Sequence, residues 1–356
     1  MPPKKRDDQE QQQRERVVSG RERPEDHDSL TSVRPRTLTE YDVGQPDLDP
    51  LRISLTAAKG RGEPLEHVLF DGPPGLGKTT LAYVIAAEMD VKLHQTSGPA
   101  LERASDLVGI LTNLEHGQVL FIDEIHRLPS VVEEFLYPAM EEFRIDIVID
   151  KGAYARTVKL PLKRFTVVGA TTRTGLLTAP LRERFGIFHH LDFYSVPQLE
   201  RIVQRAAHLW DVPLEPEAAH EVARRARGTA RIVNRLLRRA RDFAEVLGDG
   251  RVTRDIARQA LDQLGVDELG LDEQDRRYLR AMIQVYEGGP VGVRALAATL
   301  SQEEDTLEDV VEPFLLKIGF VRRTPRGREA TEAAYRHLGL PPPVGRLPSP
   351  QPELDL

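Results

Sequence analysis

A glycine-rich loop offers the clearest chemistry in the chain. Residues 72–79 read GPPGLGKT, which fits a glycine, four free positions and then Gly-Lys-Thr. Glycines such as Gly75 and Gly77 let successive backbone N–H groups turn toward phosphate oxygens. Lys78 would then bind the β- and γ-phosphates, and the Thr79 hydroxyl would bind Mg²⁺. The loop predicts a nucleoside triphosphate site; the alternative is a surface turn rich in Gly and Pro.

Two carboxylates follow an apolar run and suggest hydrolysis as well as binding. Asp123 and Glu124 end the segment VLFIDE, 45 residues after Lys78. A strand that ends there would place both side chains at the edge of the sheet where open α/β folds bind ligands. Asp123 could hold Mg²⁺ through its water shell, and Glu124 could orient the attacking water. Without the upstream loop this pair would be a weak signal, because many strands end in acidic residues.

Three further side chains are candidates for the same site. Thr171 and Thr172 follow the apolar run 165–170, and one of their hydroxyls could contact the γ-phosphate or the water, although a threonine-rich strand end explains the pair equally well. An arginine of the segment RERFG at 182–186 could reach the nucleotide of a neighbouring subunit and neutralise transition-state charge. Arg231 could contact a phosphate from a helical lid. The alternatives are a surface salt bridge for the arginine of 182–186 and an ordinary exposed position for Arg231.

A basic hairpin near the C-terminus is the candidate nucleic-acid element. Four arginines fall within seven residues around a Pro-Arg-Gly tip, and the first acidic residue of the hairpin is Glu329. The four are Arg322, Arg323, Arg326 and Arg328. The preceding helix begins with acidic residues, which DNA phosphates would repel. We therefore expect the hairpin to grip the DNA backbone without reading sequence. The alternative is a solvated turn.

Composition bounds the class of protein. The chain has 356 residues, a formal net charge of −7 and no cysteine, so disulfides and thiolate metal sites are excluded. No apolar run approaches a membrane span, and the N-terminus lacks an apolar signal core. We expect a cytoplasmic protein whose DNA contacts are local basic patches.

The element pattern predicts three folded domains between two tails. Short apolar strands at 68–70, 119–122 and 165–170 alternate with helical stretches and indicate a parallel sheet with helices on both faces. Helices alone follow, and then three helices and a hairpin that indicate a winged helix, with a capping box at Ser301 opening its third helix. The predicted divisions are a disordered tail at 1–31, an α/β domain at 32–196, a small all-α lid at 197–265, a winged helix at 266–342 and a Pro-rich tail at 343–356.

Taken together, these motifs resemble AAA+ ATPases, and within them the RuvB family of Holliday-junction branch-migration motors. The resemblance covers about Ser32 to Pro342. It rests on the phosphate loop through Thr80 and on further stretches elsewhere: RP at 34–35, GQ at 44–45, TSGP at 96–99, LTNL at 111–114, DEIHRL at 123–128, YPAME at 137–141, GATTR at 169–173, RFG at 184–186, RGT at 227–229, NRLLRR at 234–239 and RTPRGR at 323–328.

The resemblance implies roles for particular residues around ATP and Mg²⁺. Thr172 would be sensor 1, Arg184 an arginine finger acting on the neighbouring subunit, and Arg231 sensor 2. Val33 and Arg34 would line the adenine side, with Tyr194 nearby. The remaining nucleotide-binding residues it implies are Thr80, Glu141, Glu142 and Phe143. Arg323 and Arg328 would contact DNA phosphates.

The resemblance also implies an assembly. It suggests a homohexamer around duplex DNA that pumps the duplex to move Holliday junctions during recombination and repair. A RuvA-type junction-binding protein would dock on the segment 147–160, and a RuvC-type resolvase would join the complex. No membrane partner is implied.

Three positions depart from the family pattern. Asp42 interrupts the usual run before Gly44, and Ala230 replaces a usual proline before Arg231. Asp71 stands in place of an apolar residue just before the phosphate loop. A buried carboxylate there would cost several kcal/mol without a hydrogen bond. We therefore expect Asp71 to have a partner or to lie at the wet end of its strand.

Other AAA+ classes are the competing hypotheses. An origin-initiator protein also carries a winged helix but reads sequence, which the acidic third helix argues against. An unfoldase would need an aromatic pore loop or a protease module, and a clamp loader would lack the wing. Stimulation of ATPase activity by duplex DNA of any sequence would separate the motor from the initiator.

Overall fold

The computed structural model describes Val18 and residues 32–44, 48–149 and 156–342. The chain forms two compact units that divide between Tyr194 and Ser195. The predicted tails at 1–31 and 343–356 lie outside the described residues, apart from Val18. None of the helices within the described ranges is long and apolar enough to cross a bilayer.

A five-stranded parallel sheet forms the centre of the first unit. Its strands in chain order are β1 (Val68–Asp71), β2 (Leu93–Ser97), β3 (Val119–Asp123), β6 (Thr166–Thr171) and β7 (Ile187–His190). Their order across the sheet is β2-β3-β6-β1-β7. The three strands predicted from apolar runs are the three central ones, and the parallel sheet is confirmed. Polar residues in the edge strands β2 and β7 hid them from a search for apolar runs.

Helices pack around this sheet, and a separate hairpin packs partly against the core of the first unit. The helices are α1 (Leu38–Tyr41), α2 (Asp49–Arg61), α3 (Lys78–Glu88), α4 (Ala104–Thr112), α5 (Ser130–Glu141) and α6 (Ala179–Glu183). The hairpin pairs β4 (Arg144–Ile149) with β5 (Arg156–Pro161) in antiparallel register. It coincides with the segment predicted to dock a RuvA-type protein; its residues 150–155 lie outside the described ranges.

Asp71 has the partners expected of a carboxylate at the end of a buried strand. Its Oδ2 lies 2.7 Å from Nδ1 of His190 and accepts a hydrogen bond from the Thr174 hydroxyl at 3.3 Å. The side chain is about one-quarter exposed. The expectation of a partnered carboxylate at the wet end of the strand is therefore confirmed.

The second unit begins with a helical bundle. It comprises α7 (Val196–Leu209), α8 (Pro216–Arg224), α9 (Ala230–Leu247) and α10 (Arg254–Gln263). A capping box between Ser195 and Gln198 starts α7. Although Ala230 lacks the fixed φ of proline, α9 still starts there, with Thr229 in extended conformation at its N-cap.

A winged helix follows in the same unit, as predicted. Its elements are α11 (Glu273–Arg280), α12 (Val293–Leu300), α13 (Glu304–Thr306), α14 (Glu312–Lys317), β8 (Val321–Thr324), β9 (Gly327–Ala330) and α15 (Glu332–His337). A π-helical segment, Leu307–Val311, joins α13 to α14 and makes them one continuous third helix. The strands β8 and β9 form the predicted wing.

The predicted capping box at Ser301 is wrong. Ser301 has φ +53° and ends α12 as a left-handed C-cap, while Glu303 is the N-cap of the third helix. The run Ser-Gln-Glu-Glu at 301–304 fits both a capping box and a helix end. Packing of Leu300 and Leu307 in the core of the winged helix decides the register here.

A buried ion pair joins the helical bundle to the winged helix within the second unit. Arg227 Nη1 lies 3.0 Å from Asp275 Oδ2, and both side chains are almost fully buried. The same guanidinium donates to the carbonyls of Val18 and Val310 and lies 4.8 Å from the Phe314 ring centroid. Removing either partner alone would leave the other one buried without its counter-charge, which would destabilise the second unit.

Candidate nucleotide site and candidate DNA-binding wing

The phosphate loop connects β1 to the N-terminus of α3 through three glycines with positive φ, Gly72, Gly75 and Gly77. Gly72 has φ +136°, and a Cβ there would lie 2.2 Å from the Leu191 carbonyl oxygen. Lys78 is buried, and its Nζ donates to the carbonyls of Gly72 and Pro73 at 2.6 and 2.8 Å. The Lys78 side chain therefore links the end of the loop to its beginning. Because a Cβ at position 72 would clash with the Leu191 carbonyl, only glycine fits there.

A buried pair of tyrosines holds the same loop from its other side. Tyr194 donates to the Leu76 carbonyl at 2.9 Å and Tyr41 donates to it at 3.3 Å, with the two hydroxyl oxygens 3.1 Å apart. A Cβ at Gly77 would lie 3.0 Å from the Tyr41 hydroxyl. Tyr194, predicted to lie near adenine, thus contacts the phosphate loop directly. Thr79 and Thr80 are half-buried in the first turn of α3.

The two acidic candidates lie at the carboxyl end of β3. Asp123 Oδ1 accepts a hydrogen bond from the Glu124 backbone N–H at 2.9 Å. Glu124 has φ +47°, a conformation that costs a non-glycine residue free energy, and its carboxylate lies 3.1 Å from Arg127. A Cβ at Gly98 would lie 2.4 Å from the Glu124 carbonyl oxygen. The glycine therefore lets β2 and the turn after β3 pack closely.

Strand β6 lies between β1 and β3, so its end separates the phosphate loop from the acidic pair. Thr171 ends this strand, and its hydroxyl lies 2.9 Å from His126 Nδ1 and accepts the Arg173 backbone N–H at 3.0 Å. Thr172, the candidate sensor, is half-buried at the next position. Topology thus brings three candidate groups to one sheet edge.

Arg184 belongs to a second cluster, near the C-terminal end of α5. Its Nη2 lies 3.1 Å from Glu141 Oε1, and its Nη1 donates to the Pro180 carbonyl at 2.5 Å. The guanidinium carbon lies 4.4 Å from the centroid of the Tyr137 ring, within the range of a cation–π interaction. The predicted finger is therefore oriented by a carboxylate, a carbonyl and an aromatic face.

Glu142 and Phe143, the other candidates in this stretch, have local partners. Glu142 forms an ion pair with Arg144. Phe143 has φ +51°, and its ring meets the Phe165 ring edge-on with centroids 5.8 Å apart. Their assignment to the nucleotide site stays a prediction.

The residues predicted for the adenine side lie before α1. Val33 is buried, and the Arg34 guanidinium lies 3.9 Å above the Tyr83 ring. Asp42 forms an ion pair with Arg52 at 2.8 Å and also accepts the Gly44 backbone N–H at 2.8 Å. Asp42 therefore has a local role in this loop.

Arg231 is half-buried near the start of α9 and belongs to the second unit. The nucleotide candidates of the first unit divide among the sheet edge, the Arg184 cluster and the residues before α1. The role of Arg231 as sensor 2 stays a prediction.

The donor set at the sheet edge suits Mg²⁺, although it is small. Within the described ranges no three His, Cys, Asp or Glu side chains cluster to bind a metal. Mg²⁺ on a triphosphate needs no such cage, since it keeps several waters and takes one or two protein oxygens besides the phosphates. The Thr79 hydroxyl and the Asp123 carboxylate are oxygen ligands of this kind, beside a loop shaped for phosphates.

Three of the four wing arginines form ion pairs within the winged helix. Arg322 forms an ion pair with Glu329 across the hairpin. Arg323 and Arg328 face each other in the β8–β9 register and both contact the buried carboxylate of Glu312. Arg326, at the tip, is exposed.

Burial and charge also shape the protonation of this cluster. Burial by itself would lower the pKa of Arg328, but hydrogen bonds and attraction from Glu312 and Glu308 raise the pKa overall. Burial, reinforced by the Glu312 charge, raises the pKa of Tyr278, whose hydroxyl donates to Glu312 at 2.9 Å. The Tyr278 hydroxyl therefore keeps its proton at physiological pH and donates a hydrogen bond to Glu312.

Three supporting residues escaped the sequence reasoning. Tyr41, Tyr137 and Glu312 carry no motif of their own, and each acts by contacting a candidate residue. Tyr137 lies inside the stretch 137–141 that carries the family resemblance, and Tyr41 lies three residues before the stretch at 44–45. Glu312 was hidden because a glutamate in an acidic helix is usually exposed.

Three family models match consecutive parts of the chain. The Holliday junction DNA helicase RuvB P-loop domain matches residues 33–191, the RuvB AAA lid domain matches 194–267, and the RuvB C-terminal winged helix domain matches 268–339. Together they cover most of the chain.

Curated relatives and solved structures agree with these models. The Holliday junction branch migration complex subunit RuvB of Chloroflexus aurantiacus is 57% identical over 335 residues, which are 94% of this chain and 96% of that protein. Its counterpart from Chloroflexus aggregans is 57% identical over 334 residues, 94% of this chain and 95% of that protein. The Thermotoga maritima RuvB Holliday junction branch migration motor superimposes with a TM-score of 0.81 at 51% identity, covering 88% of this chain and 100% of that chain. Full-length matches of this strength, carried by all three domains, show that the chain belongs to the RuvB family of AAA+ ATPases.

Proposed function

We propose that this protein is an ATP-driven motor that moves Holliday junctions by translocating duplex DNA. One observation carries the enzymatic part: the strand order aligns the acidic pair on β3, the Thr172 turn after β6 and the phosphate loop after β1 along a single sheet edge. This is the edge where open α/β folds bind ligands. Relatives of this length and identity are named as branch-migration subunits, which supports the DNA substrate.

The residues of the first unit divide the work of hydrolysis. The loop N–H groups and Lys78 hold the β- and γ-phosphates and offset their charge. Thr79 and Asp123 would hold Mg²⁺, which neutralises charge on the phosphates. Glu124 orients the attacking water and accepts its proton. The support is its position directly after β3, at the sheet edge that carries the phosphate loop. Thr172 contacts the γ-phosphate or that water.

Arg184 completes the site of a neighbouring subunit. A guanidinium from the next subunit would stabilise charge that develops on the γ-phosphate as the bond to the β-phosphate breaks. The support is its fixed orientation by Tyr137 and Glu141. Arg231 senses the phosphates from the lid side. A homohexamer supplies each site with both sets of residues.

The partners follow from the family. Holliday junctions and duplex DNA are the nucleic-acid ligands, bound through the wing. A RuvA-type protein docks on the β4–β5 hairpin, and a RuvC-type resolvase acts on the same junction. Such a motor works where bacterial DNA lies, in the cytoplasm.

Replacing Glu124 with Gln tests the hydrolytic assignment. The variant should bind ATP with near-normal affinity and hydrolyse it about 100-fold or more slowly, because an amide cannot accept a proton from water. Equilibrium nucleotide binding and phosphate release measure the two quantities. Glu134→Gln, at an exposed position on α5, is the matched control. Near-normal turnover by Glu124→Gln would remove Glu124 from this role.

The DNA substrate is tested with a synthetic four-way junction. The full chain with ATP should convert the junction to duplex products, faster when the RuvA-type partner is present. ATPase activity should rise with duplex DNA of any sequence. Stimulation by one sequence alone, without junction movement, would indicate an initiator-type switch instead.

A further inference from the structure

The wing is built around a buried carboxylate that meets both predicted DNA-binding arginines. Glu312 is fully buried at the start of α14. Its Oε2 accepts from Arg323 Nη2 at 2.6 Å and Nε at 3.0 Å, and its Oε1 accepts from Arg328 Nε at 2.8 Å. The Tyr278 hydroxyl donates to the same oxygen, Oε1, at 2.9 Å. The carboxylate therefore receives donors from both wing strands and from α11.

The two arginines are not equivalent in this cluster. The Arg328 side chain is 15% exposed and also contacts Glu308 at 2.6 Å, so two carboxylates surround it. The Arg323 side chain is 51% exposed, and Glu312 is its one ion-pair partner within the described ranges. Arg323 therefore keeps part of its guanidinium in solvent, while Arg328 acts mainly inside the domain.

Guanidinium geometry makes this arrangement suitable for phosphate contact. An arginine has five N–H donors in a planar fork. Glu312 engages Nε and Nη2 of Arg323, which leaves the Nη1 protons for another acceptor. A long side chain that is already held in one orientation loses less conformational entropy when it binds a ligand.

We propose that Glu312 is a positioning residue for DNA binding: it holds Arg323 for contact with the phosphate backbone of duplex DNA. Arg328 is the counter-charge that makes the burial of the Glu312 carboxylate possible. This inference rests on the proposed function of the wing as a DNA contact. It divides the two predicted DNA-binding residues into one that contacts phosphate and one that supports it.

Charge and orientation predict opposite effects at this position. A general electrostatic argument holds that removing a carboxylate near a DNA-binding surface strengthens binding, because phosphates repel it. A positioning role predicts that the same change weakens binding. Glu312→Gln separates them because it removes one negative charge with almost no change in size.

The experiment measures binding of the full chain to a fixed duplex between about 50 and 200 mM salt. Glu312→Gln should weaken binding by roughly tenfold and reduce the salt slope by about one phosphate contact. The matched control is Glu329→Gln, which removes a carboxylate from the other face of the hairpin, where it pairs with Arg322. That control should bind as tightly as the unmodified chain or slightly more tightly.

A double-mutant cycle tests whether Glu312 acts through Arg323. In an Arg323→Ala background, Glu312→Gln should cause no further loss of DNA affinity. An equal loss in both backgrounds would mean general disruption of the wing and would overturn the proposal. Tighter binding by Glu312→Gln alone would overturn it as well. Unchanged DNA binding by Arg323→Ala itself would instead refute the proposed DNA contact at this residue.

Thermal unfolding of each variant shows whether the winged helix is intact. If Glu312→Gln fails to fold, the variant Arg323→Lys tests the positioning role instead, at a residue that is half exposed. Lysine keeps the charge but cannot reproduce the two-donor contact of Arg323 with Glu312. Its DNA binding should fall part of the way toward that of Arg323→Ala, because the charge remains but is no longer held in place; wild-type affinity would overturn the positioning role.

Discussion

At the scale of single residues, the orientation of Arg184 is the feature most open to test. Its guanidinium lies over the Tyr137 ring at 4.4 Å, and the Tyr137 hydroxyl donates to Glu133 at 2.7 Å. We expect Tyr137→Leu to lower the ATPase rate about tenfold, because the finger loses its aromatic platform. Tyr137→Phe keeps the ring and should keep most of the activity. Steady-state phosphate release, with nucleotide binding measured in parallel, checks both variants. Equal loss in the Phe and Leu variants would show that the hydroxyl, and not the ring face, supports activity.

At the scale of elements, His67 lies just before β1 and forms hydrogen bonds with β6 and α5. Its Nδ1 accepts the Val167 backbone N–H at 2.9 Å, so Nε2 carries the proton and donates to the Met140 carbonyl at 3.0 Å. Burial lowers the pKa of His67 below its usual 6.5. The unfolded chain therefore binds a proton at this position before the folded chain does, and folding stability falls as the pH drops below 6.5.

Glutamine can replace both hydrogen bonds of His67 without titrating. Between about pH 7 and pH 5, the free energy of unfolding should fall less steeply for His67→Gln than for the unmodified chain. The two slopes should differ by up to about 1.4 kcal/mol per pH unit. Calorimetric unfolding across this range measures the difference. Trp210, the one tryptophan in the chain, belongs to the second unit, and its fluorescence there serves as an internal reference. Parallel pH curves for the two proteins would contradict a titrating His67.

At the scale of the whole molecule, the proposal requires that subunits complete one another's sites. Arg184→Ala subunits would keep a nucleotide pocket but offer no finger, and Lys78→Ala subunits would offer a finger but lack the pocket lysine. Each variant alone should be nearly inactive. Mixed before assembly, they should recover part of the ATPase activity at the interfaces where an intact pocket meets an intact finger. Titrating the ratio of the two variants checks this, with maximum activity expected near equal amounts. If no ratio restores turnover, Arg184 does not act across an interface.

The sequence was most informative where a chemical need fixes the residue type. The phosphate loop needs glycines and a lysine at set spacing, and central strands need unbroken apolar runs, so both were found in the primary structure. The edge strands β2 and β7 were missed because they contain polar residues, and a short segment of mixed polarity is equally compatible with a loop. The capping box at Ser301 was misplaced because the same letters serve both ends of a helix and core packing chooses between them.

The chain by itself therefore determined its family, its fold class and the identity of the groups that could handle a triphosphate. Only the tertiary structure decided which side chains support them: the tyrosine pair on the Leu76 carbonyl, the aromatic platform under Arg184, and the burial of Glu312 between Arg323 and Arg328. Local propensity and spacing act over a few residues and can be read in order. Burial and charge pairing arise between different elements, whether near or far in the chain, so they exist only once those elements have packed.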